Sequence, residues 1–376
     1  MKETVEREIK LAPGEGFVMP ELGGQVLPTR TFVSTYHDTP DLVLARHGVT
    51  FRHRVEDGAG LWQLKLPKGG ATRIELEQAG PPARPPLELT SLLVAYLRGR
   101  DVVPVARLRT RREGVRAHGA EIVHDSVSVM DGQHVTRRFR EVEVELLEGD
   151  ERTLRRLEKE LRRAGAAATG PLRPKLYRAL DLADPVEPVV VPEGATPGVA
   201  LGIALGEQYR RILVHDPGTR LGSDPEDLHQ LRVATRRLRA FLRVGRPLLD
   251  VAWAEDLRAE LGWLGRVLGP VRDLDVLIER LETEIAGLGD DADAATGLLV
   301  ELDAERATGR QAIVDALSSD RYLALLDRLE HASDPELSGD DVPLARVWRG
   351  EWKRTRKAFA ELGPLTPDDD LHAARI

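Results

Sequence analysis

Val5-Glu6-Arg7-Glu8-Ile9-Lys10-Leu11 decides how the first half of this 376-residue chain is read. Alternate residues of a strand share a face, so Glu6, Glu8 and Lys10 fall together, opposite Ile9 and Leu11. The same period of two returns at 49–55, 61–66, 73–77, 106–111, 122–129 and 138–147. Turn-forming Asp57-Gly58, Lys68-Gly69-Gly70 and Asp131-Gly132 separate several of these runs, which is an antiparallel β pattern. A helix is expected over 151–164, where Leu154, Leu157 and Leu161 recur at three and four.

Charge is distributed unusually on these strands. Arg52 shares a face with Arg54, Arg73 with Glu75 and Glu77, Arg107 with Arg109 and Arg111, and Glu141 with Glu143 and Glu145. A single such strand reads as a solvated face over a core. Several faces made almost purely of Glu and Arg read differently, because closing the sheet into a barrel would turn them into one charged lumen. The pattern predicts the fold class α+β with two domains: an antiparallel β unit, whose charged faces would meet if the sheet closes, and then an all-α bundle.

The domain division comes from composition. Four prolines and two glycines crowd 184–198, which reads as a linker between a domain at 1–183 and another at 199–376. Beyond it, long Arg- and Leu-rich amphipathic segments run at about 199–214, 224–249, 252–286, 291–318 and 320–331. A weak repeat links Asp227-Leu228-His229-Gln230-Leu231-Arg232-Val233 with Asp370-Leu371-His372-Ala373-Ala374-Arg375-Ile376. That copy stops at the last residue, so the expectation is a truncated chain with an incomplete second bundle.

Composition excludes several chemistries. The absence of cysteine removes disulfides, thiolate metal sites and a cysteine nucleophile, and fits a cytoplasmic home. The charged N-terminus is unlike a signal peptide, and no stretch approaches a membrane span. A net charge of −8 argues against general nucleic-acid binding, although the 54 basic residues cluster strongly. No GxxxxGK or GxGxxG turn occurs, and His37, His47, His53, His118, His124 and His134 show no recurring ligand spacing. Trp62 reads as packing.

Grouped carboxylates are hard oxygen ligands suited to Mg²⁺ or Mn²⁺, whereas arginine forks and lysines suit phosphate oxygens. One cavity holding both has the parts that phosphoryl transfer needs, since positioning and charge neutralisation supply most of that catalysis.

Glu6-x-Glu8-x-Lys10 resembles the signature of the CYTH superfamily, the triphosphate tunnel proteins that include inorganic and thiamine triphosphatases and class IV adenylate cyclases. Ordered companions give the short motif its weight: Tyr36-His37-Asp38-Thr39-Pro40-Asp41, Phe51-Arg52-His53-Arg54, Leu64-Lys65, Arg73-Ile74-Glu75-Leu76-Glu77, Arg109-x-Arg111, Asp125, Glu141-Val142-Glu143-Val144-Glu145 and Lys175. The resemblance spans about residues 3–180 and implies a closed antiparallel β-barrel, the triphosphate tunnel, of about eight strands with flanking helices. It implies that Glu6, Glu8, Asp125, Glu143 and Glu145 hold divalent ions, and that Lys10, Arg52, Arg54, Lys65, Arg73, Arg109, Arg111 and Lys175 grip a triphosphate. Glu6, Glu8, Lys10, Lys65 and Arg73 would carry the catalytic roles.

In the second half, His229, Arg232, Arg236, Arg239 and Arg243 form one helical stripe without acidic partners at those spacings, and like charges so placed favour an anion. Leu228-His229-Gln230-Leu231-Arg232 and Leu268-Gly269-Pro270-Val271-Arg272-Asp273-Leu274-Asp275 resemble the CHAD domain, the conserved histidine α-helical domain. That resemblance implies long-chain polyphosphate binding by the stripe, joined by His372 and Arg375, with Arg272, Asp273 and Asp275 as a binding or an ion-pair motif. The leading expectation is a metal-dependent inorganic triphosphatase acting on tripolyphosphate or a short polyphosphate, with a polyphosphate-binding helical domain. The rivals are a non-catalytic adaptor on polyphosphate granules and a hydrolase of thiamine or nucleoside triphosphates. No specific nucleic-acid or membrane partner is expected.

Overall fold

The computed structural model describes residues 1–69, 72–168, 173–183, 190–287, 292–333, 342–360, 362–363 and 366–367. The chain forms two compact units, Met1–Glu187 and Pro188–Ile376.

The first unit is a closed antiparallel barrel of β1 (Lys2–Pro13), β2 (Gln25–Asp38), β3 (Thr50–Glu56), β4 (Ala59–Gly69), β5 (Thr72–Ala79), β6 (Val103–Ala117), β7 (Ala120–Asp131) and β8 (His134–Leu146). The order β5-β4-β3-β2-β6-β7-β8-β1 is closed by β1 pairing back onto β5. Strand β1 performs the closure by dividing its partners: Lys2 to Arg7 pair with β5, and Glu8 to Leu11 pair with β8. An extra strand, β9 (Ala166–Ala168), follows β1 past the end of β5. At the β3–β4 hairpin, Asp57 and Gly58 both have positive φ, 49° and 80°, the backbone of a two-residue turn whose twist matches its strands.

Both faces of this sheet are covered for part of its area. Outside β1, β7 and β8, helix α4 (Glu151–Arg163) packs Leu154, Leu157 and Leu161 onto Leu11, Ile122, Val142 and Val144. Asp150 caps that helix, its carboxylate accepting from Arg152 N at 3.0 Å and Thr153 N at 3.1 Å. Elsewhere Phe51, Trp62, Leu64 and Leu76 are fully buried, with Trp62 donating its indole N–H to the Pro81 carbonyl at 2.9 Å. The short helices α1 (Val43–Arg46), α2 (Leu87–Thr90) and α3 (Val94–Leu97) bury Leu44, Leu89 and Tyr96. One end of the lumen is filled by Leu176 and Tyr177 of α5 (Lys175–Leu180), packed with Tyr36, Ala45, Leu108 and Val127.

The alternating pattern misses β2, β9, the one-turn helices and α5. In β2, Pro28 and the run of Thr and Ser between Thr29 and Thr35 blur the alternation, although the strand pairs along much of its length with β6. The other strands extend beyond the runs read from sequence, since exposed hairpin arms such as those of β6 and β7 need no apolar face.

The second unit is helical: α6 (Pro197–Leu221), α7 (Pro225–Val244), α8 (Val251–Ile285), α9 (Ala292–Leu317), α10 (Asp320–Glu330) and α11 (Leu344–Ala360). Thr196, Asp224, Asp250 and Ser319 cap α6, α7, α8 and α10 with their side-chain oxygens. The core joins Ile212, Leu231, Leu238, Leu242, Leu257, Leu261, Leu264, Leu317 and Leu326. Within it, Asp216 accepts from Arg220 at 2.6 Å and from the Tyr322 hydroxyl at 2.8 Å, so its burial is fully compensated. Helix α11 lies past the segments read from sequence. Among the described residues, no helix is long and apolar enough to cross a membrane.

Candidate functional site

The open half of the barrel lumen is a cavity of about 240 Å³ lined mostly by charged side chains. Strand register assembles it. Glu6 of β1 lies opposite Arg73 of β5, Glu8 opposite Glu145 of β8, and Lys10 opposite Glu143. Arg52 and Arg54 of β3, Lys65 of β4, and Lys175 at the start of α5 complete the set read from sequence that lines the cavity.

The lumen has two electrostatic zones. At its deeper end, the Lys175 ammonium lies 2.9 Å from Asp125, 2.5 Å from Glu141 and 2.9 Å from Glu143. Arg112 adds a two-pronged contact to Asp125, at 2.8 and 2.7 Å, and reaches Glu143 at 2.6 Å. Lys10 bonds the same Glu143 and sits 3.2 Å from Glu8. Burial works to neutralise Glu143, yet Lys10, Lys175 and Arg112 hold its carboxyl well below the usual range. Burial opposes the charge on Lys175, but Glu141, Glu143 and Asp125 hold its pKa well above the ordinary lysine value.

Nearer the mouth, carboxylates outweigh their partners. Lys65 contacts Glu6 at 2.6 Å and Glu75 at 3.4 Å. Burial, together with the neighbouring Glu75, pushes Glu6 up to about 7 despite that lysine. Glu145 is raised as well, first by burial and then by the charges of Glu6 and Glu8. Glu8 is shifted the other way: burial would raise it, but Lys10, Lys65 and Arg73 lower it. Buried carboxyls that raise one another's pKa are what a divalent cation relieves, and an all-oxygen donor set suits a hard ion. These residues fit a metal. Asp125, Glu141 and Glu143 also bring oxygens within 4.8 Å of one another, a group that can hold a metal ion, and Lys175 is the cation standing among them here.

Arg109 and Arg111 do not join the lumen. Strand β6 turns Leu108, Thr110 and Arg112 inward and leaves Arg109 and Arg111 exposed on the outer face. The apolar Leu108 was the available signal, since it fixes the inward phase and places Arg112, which the resemblance did not name, in the cavity. Asp125 is completely buried beneath the cavity wall, held by Arg112 and Lys175. Gln63 was also missed. Its amide donates to Glu75 at 3.1 Å and Glu77 at 2.7 Å while its oxygen accepts from Arg52 at 2.9 Å, so it positions a cation between acids.

In the helical unit, α7 carries the basic stripe. Arg236 and Arg239 are exposed, while His229, Arg232 and Arg243 are half-buried. Arg232 pairs with Asp273 of α8 at 2.8 Å, and Asp275 lies 3.5 Å from Arg306, so both aspartates make ion pairs. The Arg243 Nε is buried without a hydrogen-bond partner. Opposite, Gly262 of α8 keeps space beside Arg239 and Arg266, where an added Cβ would stand 3.8 and 3.6 Å from their guanidinium groups. His372 and Arg375 lie outside the described residues.

Comparison with known proteins follows the same division. Residues 3–169 match the CYTH domain and residues 203–376 the CHAD domain. Two uncharacterized Mycobacterium tuberculosis proteins, from strains CDC 1551 and H37Rv, are each 33% identical over 393 residues, covering 93% of this chain and 74% of theirs. Among solved structures, the CHAD domain from the plant Ricinus communis is 25% identical, covering 50% of this chain and 64% of that one at a TM-score of 0.41. PptA from Streptomyces chartreusis is also 25% identical, covering 48% of this chain and 71% of that one at a TM-score of 0.41.

Proposed function

The chain belongs to the family of proteins that join a CYTH domain to a CHAD domain, and from that premise we propose that its barrel is a metal-dependent hydrolase of inorganic triphosphate. The observation that carries this reading is the convergence of Lys10, Arg52, Arg54, Lys65, Arg73, Arg112 and Lys175 with Glu6, Glu8, Glu143 and Glu145 on one enclosed lumen. The cations bind and align phosphoryl oxygens from a largely buried, preorganised wall. Glu6, Glu8, Glu143 and Glu145 would hold Mg²⁺ or Mn²⁺, which when bound neutralises phosphate charge and activates water. Arg52 is fixed by Gln63 and by the Tyr36 hydroxyl at 3.2 Å, so it meets the substrate preorganised.

The cavity favours a substrate without an organic part. Among the described residues its rings are Phe32 and Tyr36, and both are engaged by guanidinium groups, Arg54 at 4.5 Å from the Phe32 centroid and Arg52 at 5.9 Å from that of Tyr36. A base or thiazole would have to compete with those guanidinium groups for the ring faces. Phosphate release measured in parallel from tripolyphosphate, ATP and thiamine triphosphate tests the point; faster turnover of either organic substrate would overturn it. A purely binding role is the rival, favoured by the ion pairs of Lys10 and Lys175 with Glu143. In the helical unit, His229, Arg232, Arg236, Arg239 and Arg243 would engage longer polyphosphate.

A further inference from the structure

The outer face of the barrel carries a second array of cations. Strand register sets Arg109 of β6, Ser128 of β7 and Arg138 of β8 in one row, and Arg111, Ser126 and Arg140 in a parallel row two residues away. Residues two apart leave the same face of a strand, and neighbouring strands lie about 4.8 Å apart, so each serine stands between two guanidinium groups. These side chains line a shallow trough, and all four arginines are exposed.

Their charges are only partly matched. Arg111 pairs with Glu113 at 2.7 Å, and Arg140 donates to the Gly14 carbonyl at 3.2 Å. Among the described residues, no carboxylate lies within ion-pair distance of Arg109 or Arg138. The composition of the trough selects the type of anion. Guanidinium forks and hydroxyls recognise phosphate oxygens, whereas single-stranded nucleic acids are held in addition by stacking their bases on free ring surface. Phe139, between Arg138 and Arg140 on β8, sends its ring to the opposite face, where it packs with Leu108 and Val127 beneath the Arg178 guanidinium, 4.2 Å from its centroid.

We propose that the outer face of β6, β7 and β8 binds linear inorganic polyphosphate, a docking surface separate from the lumen. Two parallel Arg-Ser-Arg rows offer repeated phosphate contacts to a chain lying across the strands. The surface needs no hydrolysis in the lumen, so failure of either reading leaves the other testable.

The test uses the full chain with Arg232→Glu and Arg236→Glu already introduced, which removes the contribution of α7. Adding Arg109→Gln and Arg138→Gln is expected to weaken binding of long-chain inorganic polyphosphate on the order of tenfold. The dependence of affinity on salt should become shallower by about one contact per lost arginine. Tripolyphosphate turnover should stay within twofold, and thermal melting should be unchanged because both side chains are exposed. Unchanged polyphosphate affinity and salt slope would overturn the proposal. So would tighter binding of a single-stranded RNA homopolymer than of polyphosphate, lost in the same variant.

Discussion

The barrel and the helical unit each gather basic side chains, but they treat charge in opposite ways. In the lumen, Lys10, Lys65, Arg112 and Lys175 are largely desolvated and each contacts a carboxylate, at 3.2, 2.6, 2.7 and 2.5 Å respectively. On α7, Arg236 and Arg239 stand in solvent, and the ion pair of Arg232 with Asp273 is partly exposed. Buried charges interact strongly and cannot be removed singly without large cost, whereas exposed ones are screened and contribute through number. A metal-assisted reaction needs the first arrangement, and capture of a long polyanion needs only the second.

The sharpest way to break this contrast is to remove a buried cation. Lys175→Met leaves Asp125, Glu141 and Glu143 without their central ammonium, and should destabilise the barrel by about 3–5 kcal/mol. Calorimetry should show its melting transition falling by roughly 10 °C, with part of the loss restored by Mn²⁺ entering the vacated acidic triad. A melting point unmoved by the substitution would mean that the deep cluster is not electrostatically coupled.

The exposed counterpart should respond more mildly. Arg232→Glu combined with Arg236→Glu should weaken long-chain polyphosphate binding by about tenfold at moderate salt, leaving tripolyphosphate turnover and melting nearly constant. Isothermal titration against polyphosphate decides this, and equal binding by wild type and variant returns the stripe to a solvated helix face.

A smaller effect, confined to the mouth of the lumen, concerns protons. The folded-state pKa of Glu6 is raised to about 7 from 4.5, so the folded protein retains a proton that the unfolded chain loses between those values. Its contribution to metal-free stability therefore falls as pH rises from about 4.5 through 7. Metal binding runs the other way, because the ion requires the carboxylate. Mn²⁺ affinity should climb severalfold between pH 6 and 8 and then level. Glu6→Gln should flatten that rise, and a wild-type affinity independent of pH over this window would contradict the assignment of Glu6 to the metal.

Much of this contrast was legible in the sequence. Glu6, Glu8 and Lys10 alternate with apolar neighbours, and the α7 stripe has helical spacing, so period alone placed both sets. Phase was harder to read. Arg109 and Arg111 share a face with each other, and the one local clue to which face closes inward was the apolar Leu108 on the opposite face. In the barrel Leu108 meets the plug formed by Leu176 and Tyr177, sending Arg112 into the lumen. Pairing was also invisible, because Lys175 lies 32 residues from Glu143 and reaches it only when α5 enters the barrel end.

The proposed hydrolysis of inorganic triphosphate in the lumen is tested most directly by Glu8→Ala. Glu8 is buried, faces Glu145 across β1 and β8, and carries its charge at neutral pH because Lys10, Lys65 and Arg73 outweigh its burial. With saturating Mg²⁺ or Mn²⁺, wild type should release phosphate from tripolyphosphate, and Glu8→Ala should lower kcat by about a hundredfold or more. Wild-type release no faster than the metal-only background, or full turnover in Glu8→Ala, would contradict the account.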